Sequence, residues 1–272
     1  MGAEVGIFTV GNMLDNSYRI KRSFSRAAVS YDRLTGFHQQ IGSQLVTQLE
    51  VLGKYNIILD VGIGTGGFAS LLQRCFSKAF ITGIDLAFGM IEVAKQSCPE
   101  LYLLQADACS LPFKHNIFDL ITSNLAYQWA ADIFFAFHGA YCCLKKGGRF
   151  CFSMFGRKTL DELFISLSHA IGENLSIHRL YTRDDVIDAL CRAGFVDINV
   201  TSELHRIYFP DMMALLKWVK GIGANALRKD IFIGRRVFVS ASDYYEKYFS
   251  EGDCVYASME VFWVNAVKSI KG

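Results

Sequence analysis

Five short apolar runs recur through the first part of the chain, at residues 57–60, 79–85, 101–105, 118–123 and 149–154. Ile57, Ile58 and Leu59 are continuously apolar rather than alternating, the pattern of a parallel strand buried on both faces. Between runs the period changes. Phe68, Leu71, Leu72, Cys75 and Phe76 recur at helical spacing directly after the first run. Strand and helix in alternation predict an α/β fold built on a doubly wound, mostly parallel sheet. Residues 145–148, Lys-Lys-Gly-Gly, are expected to turn the chain into the fifth strand. Further on, Thr182-Arg183-Asp184-Asp185 reads as a helix start with a threonine cap and early acids. Gly194 ends that helix before a strand at 196–201. The last strand is expected within 255–267. Residues 202–252 break the rhythm, with Leu215, Leu216, Trp218 and Val219 on one helix and Tyr244, Tyr245, Tyr248 and Phe249 on another. Such an insertion serves as a lid or substrate-binding element, or extends the core, since stripes at helical spacing are the usual signature of packing. Residues 1–23 read as an N-terminal tail whose apolar stretch at 5–10 frays, leaving one domain from 24 to 272.

The chemistry sits between the first strand and the first helix of the sheet. Asp60-Val61-Gly62-Ile63-Gly64-Thr65-Gly66-Gly67 occupies that turn. Glycine there permits positive φ and close approach of a ligand to the backbone, and the N–H groups at the helix start favour negative groups. Asp85 ends the second strand. A carboxylate roughly 20 residues after a glycine loop, on the neighbouring strand, is placed to bind two ribose hydroxyls. Dinucleotides and adenosyl ligands both fit so far. What separates them is the acid that opens the loop: Asp60 suits a positively charged ligand, such as a sulfonium with an amino-acid tail, better than a pyrophosphate.

The loop, Asp85 with Met90 after it, the stretch Gln105-Ala106-Asp107-Ala108 and the turn Leu144-Lys145-Lys146-Gly147-Gly148 resemble class I S-adenosylmethionine-dependent methyltransferases in order and spacing. That resemblance implies a Rossmann-like sheet of seven strands, the last antiparallel, with the helical insertion before it. It also implies a cofactor site of Asp60, Gly62, Gly64, Gly66, Asp85, Leu86, Met90, Asp107, Ala108, Asn124 and Leu125. In that family the loop cradles the methionine half of the cofactor, the acid matching Asp85 binds the ribose, the side chain matching Met90 packs on adenine, and the acid matching Asp107 faces the adenine amine.

Three blocks outside the cofactor motifs point further: residues 24–33 (Phe-Ser-Arg-Ala-Ala-Val-Ser-Tyr-Asp-Arg), residues 119–129 with Asn124-Leu125-Ala126-Tyr127-Gln128-Trp129, and Phe152-Ser153-Met154-Phe155-Gly156 followed by Thr159-Leu160-Asp161-Glu162-Leu163. They are similar to the malonyl-[acyl-carrier protein] O-methyltransferases of biotin synthesis. The likeness runs from about residue 24 to the C-terminus. Three positions depart from the family pattern: Ile63 stands for its usual cysteine, Lys146 for the proline of a Pro-Gly-Gly turn, and His38 near its usual glutamine. The activity implied is transfer of a methyl group to the free carboxylate of a malonyl thioester on acyl-carrier protein, the step that starts pimeloyl synthesis. A methyltransferase for another small molecule, or a methyltransferase-like assembly factor or hydroxylase that binds a protein partner, shares the cofactor motifs.

Methyl transfer is an in-line displacement in which positioning and desolvation do most of the work. A carboxylate acceptor is ionised at neutral pH and needs no dedicated base, in keeping with the isolated histidines. The substrate of such a sheet sits beyond the carboxyl ends of the strands, where Tyr31, Tyr127, Gln128 and Trp129 are expected. Tyr31 is the candidate to close over the methyl group, and Arg157 or Lys158, after the fifth strand, the candidate to clamp the carboxylate. An acidic carrier would seek a local basic face, for which Lys217, Lys220, Arg228, Lys229, Arg235 and Arg236 are candidates. Composition agrees. A formal charge of +2 over 272 residues supplies no field for nucleic acid. Eight cysteines without a Cys-x-x-Cys pair argue against a metal centre and fit free thiols in a reducing cytoplasm. No apolar stretch approaches the roughly 18 to 20 residues of a membrane helix. The expected protein is a monomeric enzyme.

Overall fold

The computed structural model describes residues 10–174, 180–224 and 234–270, with side chains from Ser17 onward. Its framework is one mixed sheet. The five apolar runs become β1 (Ile57–Val61), β2 (Phe80–Asp85), β3 (Tyr102–Gln105), β4 (Phe118–Asn124) and β5 (Leu144–Phe155), all parallel. Between them run α3 (Gly67–Cys75), α4 (Phe88–Ser97) and α5 (Ile133–Cys143). Then α6 (Asp161–Ile171) and α7 (Arg183–Ala193) lead to β6 (Phe195–Phe209), and α8 (Met212–Gly221), α9 (Arg235–Tyr248) and β7 (Ser250–Glu251) precede β8 (Cys254–Lys268). Ahead of the sheet lie α1 (Val10–Ala27), a 3-10 turn Ala28–Arg33 and α2 (Gly36–Leu52).

Strand order is β3-β2-β1-β4-β5-β8-β6, with β8 antiparallel to both neighbours. The chain moves outward from β1 to β3 and then restarts on the other side at β4. This leaves a crevice at the carboxyl ends of β1 and β4, the switch point where doubly wound sheets bind ligands. Side chains alternate across the sheet as its pleat requires: Ile58 and Leu120 join the core under α2, α3 and α6, whereas Leu59 and Ile121 join the core under α5 and α7.

Four expectations change here. Residues 10–23, read as tail, belong to α1, whose C-terminal turn packs on α4 so tightly that a Cβ on Gly89 would lie 2.7 Å from the Ser25 carbonyl oxygen. Strand β6 continues to Phe209, where the insertion was expected to begin at 202. Its residues from Thr201 to Phe209 pair one by one with Trp263 to Val255, and their exposed edge position hides the apolar signal. Residues 145–148 form a bulge inside β5, with the register on β4 shifting between Phe118 and Leu120. An eighth strand, β7, exists because Gly252 takes φ +62° and closes a two-residue hairpin onto β8. The helix start at Thr182 has the expected form, a capping box with Asp185, and Gly194 ends it in the left-handed region.

The contact between α1 and α4 generates a direct test. Gly89→Ala places a methyl against the Ser25 backbone, and overpacking of this kind costs about 1–3 kcal/mol. Urea unfolding should show that loss, with a matching drop in affinity for any ligand of the crevice that α1 walls. Unchanged stability would mean that α1 does not dock where the structure puts it.

Candidate functional site

The turn after β1 is held by the tip of β2. The N–H groups of Gly62 and Ile63 both donate to the Ile84 carbonyl, at 2.8 and 2.9 Å, and Gly64 N–H donates to Asp85 Oδ2 at 2.9 Å. Gly62 takes φ +75°, and a Cβ there would sit 2.2 Å from that of Ala126. Only glycine satisfies both conditions. Ala87 N–H completes the hold on Asp85, donating to Oδ1 at 2.8 Å. The carboxylate is fixed in orientation yet keeps lone pairs free to accept from a ligand.

Around this turn lies a cleft. Tyr31, Gly62, Gly64, Asp85, Leu86, Met90, Asp107, Ala108, Asn124, Leu125, Tyr127 and Trp129 all line it, so most of the site read from sequence converges. Asp107 uses Oδ1 to accept from Cys109 N–H at 2.9 Å, closing its own turn. Asn124 ties three elements together: its amide donates to the His38 carbonyl at 2.9 Å and its Oδ1 accepts from Ser153 at 2.8 Å. Leu125 adopts φ +53°, a conformation that disfavours a side chain by roughly 1–2 kcal/mol. It is over-determined by its N–H donating to the Ser153 carbonyl at 3.0 Å and its carbonyl accepting from Gln128 Nε2 at 2.6 Å.

Asp60 lies beneath the cleft rather than in its wall. It is 0% exposed, and neither carboxylate oxygen has a hydrogen-bond partner among the described residues. The hydroxyls of Thr122 and Tyr127 are likewise buried and unpartnered; Thr122 is the β4 residue paired with Asp60 in register. Burial, and then the neighbouring Asp85, pushes the Asp60 carboxyl up to about 8. Asp85 is pushed up to about 6, again mainly by burial, against the pull of its backbone donors.

A second, narrower cavity adjoins the first. Phe24, Tyr31, Leu125 and Trp129 line both and form the partition between them, Phe24 meeting Trp129 edge to face at 5.1 Å. Its walls are otherwise largely apolar, with Phe155, Leu160, Leu180, Trp218 and Met259 among them. The polar groups in these walls are mostly committed. Gln128 holds the Leu125 loop, Thr159 donates to the Glu260 carbonyl at 3.2 Å, and Trp218 Nε1 donates to the Leu34 carbonyl at 2.8 Å. His38 Nδ1 remains without a partner among the described residues, and Tyr31 also lines these walls. Burial pushes His38 down to about 4, so its imidazole is neutral at physiological pH. Tyr31 is raised above its ordinary range by burial and by Asp85 and Asp32, and stays protonated.

Several expected residues stand elsewhere; Gly66, the left-handed N-cap of α3, lines neither cavity. Arg157 lines neither cavity. Its flanking backbone turns toward β8, with Gly156 N–H on the Glu260 carbonyl and Lys158 N–H on the Glu260 carboxylate, and its side chain is exposed on the side of Asp185. Gln128 lines only the second cavity, as a brace. Conversely, Ile20, Lys21 and Phe24 of α1 line the cleft. Ile20 and Lys21 fall in the segment read as tail and carry no motif, whereas Phe24 opens the 24–33 block. Arg228 and Lys229 lie outside the described residues.

An orphaned acid under a glycine turn, a second acid with ordered lone pairs and a third in the far wall suit an adenosyl ligand with a cationic tail. A methyltransferase-domain family model matches residues 59–152, the span from β1 to β5. The YcgJ protein from Bacillus subtilis superposes with a TM-score of 0.59 over 83% of this chain and 97% of its own, at 18% identity. Fold and site define a Rossmann-like class I methyltransferase, an enzyme that uses S-adenosylmethionine. Over 257 residues the chain is 34% identical to the malonyl-[acyl-carrier protein] O-methyltransferase of Geobacter sulfurreducens, covering 90% of this chain and 96% of that one. It is 32% identical to the enzyme of the same name from Methylococcus capsulatus, over 88% and 89%. The chain belongs to the malonyl-[acyl-carrier protein] O-methyltransferase family.

The state of Asp60 is testable. Its pKa in the fold lies above the unfolded value of about 3.9, so it supports the fold at low pH. That support is lost as pH rises from about 4 through 8. Asp60→Asn should therefore raise the melting temperature of the ligand-free protein at pH 8.5 relative to wild type, while weakening S-adenosylmethionine binding about tenfold, or 1.4 kcal/mol. A variant less stable than wild type at pH 8.5 would contradict the unpaired carboxyl.

Proposed function

We propose that this chain transfers a methyl group from S-adenosylmethionine to the free carboxylate of a malonyl thioester carried on acyl-carrier protein, forming the methyl ester that starts pimeloyl synthesis. The observation that carries the reading is the second cavity. It shares Tyr31 and three other lining residues with the cofactor cleft, is largely apolar, and is lined by two neutral polar side chains, Tyr31 and His38, the latter with Nδ1 unpartnered among the described residues. Bound S-adenosylmethionine supplies an electrophilic methyl on a sulfonium. Asp60 neutralises the cationic end, Asp85 holds the ribose and Asp107 with Met90 the base. Gly62 and Gly64 leave room for close backbone approach.

On the acceptor side the enzyme needs orientation rather than proton transfer. The carboxylate is already ionised, so its oxygen attacks without a base, the new C–O bond forming as the C–S bond breaks and the electron pair staying on sulfur. Tyr31 donates a hydrogen bond to the carboxylate and holds one oxygen toward the methyl. His38 serves the other oxygen or the thioester carbonyl, and Phe24 and Trp129 exclude water. Opposite charges disappear in this step, and dry apolar walls favour such a transition state over charged reactants. A permanent cation against the carboxylate would instead stabilise the ground state and blunt the attack. Placing Arg157 outside is consistent with that logic.

Helix α8 contributes Trp218, Val219 and Ile222 of the following turn to the cavity, which supports reading the insertion as a substrate-side cover. Both cavities are complete within one chain, and we read the monomer as the working unit. Eight free cysteines suit a reducing cytoplasm, and no helix among the described residues is long and apolar enough to cross a membrane.

Incubation with methyl-labelled S-adenosylmethionine and malonyl-carrier protein should yield a base-labile labelled ester. Tyr31→Phe should lower kcat by roughly tenfold to a hundredfold with cofactor affinity nearly intact, since one donor to a developing charge centre contributes about 1.4–2.7 kcal/mol. No ester from wild type would refute the acceptor. No cofactor binding would refute methyl transfer altogether.

A further inference from the structure

Beside the two cavities runs a groove between α1 and α8 whose lining is basic. Arg19, Arg22 and Arg26 follow one another at spacings of three and four on one stripe of α1. Lys217 and Lys220 face them from α8. The rest of the lining is small, Ser23, Ala27, Ser30 and Gly221, and no carboxylate belongs to it. Among the described residues none of the five cations forms an ion pair. Five like charges gathered without a counter-charge repel one another, an arrangement that an anionic partner relieves.

We propose that this groove is the docking surface for the acidic face of the carrier protein, a proposal that rests on the functional reading above. Its position carries the assignment. The two helices that form the groove also wall the site: the next faces of α1 give Ile20, Lys21 and Phe24 to the cofactor cleft, and α8 gives Trp218 and Val219 to the acceptor cavity. The Ser23 hydroxyl donates to the Gly223 carbonyl at 2.9 Å, stapling α1 to the turn after α8. A partner seated on the groove therefore stands over the partition at Phe24, where a thioester on a flexible arm enters. The second basic face on α9 lacks these properties. Arg235, Arg236 and Lys247 share their surface with Asp243, and none of the residues lining it lines either cavity. A formal charge of only +2 means the positive charge is local, which suits a compact acidic protein rather than an extended polyanion that tracks along a surface.

The test reverses exposed charges on each face. With Arg22→Glu/Lys217→Glu, KM for malonyl-carrier protein should rise about tenfold or more with kcat within about twofold, and the difference from wild type should shrink as salt is raised. S-Adenosylmethionine affinity and turnover of malonyl-pantetheine at saturating concentration should match wild type, showing that fold and chemistry survive. Arg235→Glu/Arg236→Glu should leave KM for the carrier unchanged. An unchanged KM in the first variant, or a raised one only in the second, overturns the assignment while leaving the activity standing. Inhibition of wild type by duplex DNA or phosphatidylglycerol vesicles at lower concentrations than apo-carrier protein overturns it in favour of another polyanion. A wild type that binds cofactor but methylates no malonyl-carrier protein removes the functional reading and this proposal together.

Discussion

Everything at the cofactor end depends on one unfavourable arrangement, the Asp60 carboxyl buried without a hydrogen-bond partner among the described residues, beside a second, half-buried acid. A buried unsatisfied polar group costs about 1–3 kcal/mol, and an ionised one more. The fold carries that burden because Asp60 sits on β1, the central strand, where register with β2 and β4 leaves no freedom to swing out. In the ligand-free chain the proton stays on. A cation arriving above the glycine turn changes the balance, and the same burial that penalised the bare charge then strengthens the pairing. Asp85 is treated differently: two backbone N–H groups satisfy it and fix its direction.

At the acceptor end the logic is inverted. Where the cofactor cleft concentrates acids, the adjoining cavity offers neutral donors in apolar walls. Phe24, Tyr31, Leu125 and Trp129 divide the two environments, and Leu125 holds its place there only because Ser153 and Gln128 pin a left-handed backbone. The partition depends on α1 and on the 3-10 turn behind it, so the segment ahead of the sheet is part of the catalytic architecture. Under the proposed reading, substrate discrimination and methyl transfer meet at Tyr31, which lines both cavities.

Much of this was legible in the sequence, for physical reasons that also explain the failures. Strands β1 to β5 announce themselves because burial on both faces demands continuous apolar runs, and Gly62 because its backbone admits no other residue. Asp85 follows from its offset to the glycine turn, whereas Met90, Asp107 and Asn124 come from the resemblance to class I methyltransferases. Strand β6 past Thr201 escaped because an edge strand keeps exposed polar residues, and its identity lies in pairing with a partner some sixty residues away. Helix α1 escaped because an amphipathic helix beside a site has no motif. Arg157 misled because proximity in sequence to the end of β5 says nothing of the direction in which Glu260 turns the loop. The basic groove was half seen: Lys217 and Lys220 were legible as charge, but their three arginine partners lie nearly two hundred residues earlier.

The paired acids and the cationic ligand are most directly joined by proton release. Titrating the protein with S-adenosylmethionine at pH 7 in buffers of different ionisation enthalpy measures how many protons leave on binding. Ionisation of Asp60 against the ligand's charge requires release of close to one proton per ligand, and its disappearance in Asp60→Asn. Binding with no proton release, or release that persists in the variant, would contradict the buried carboxyl as the receptor of that charge.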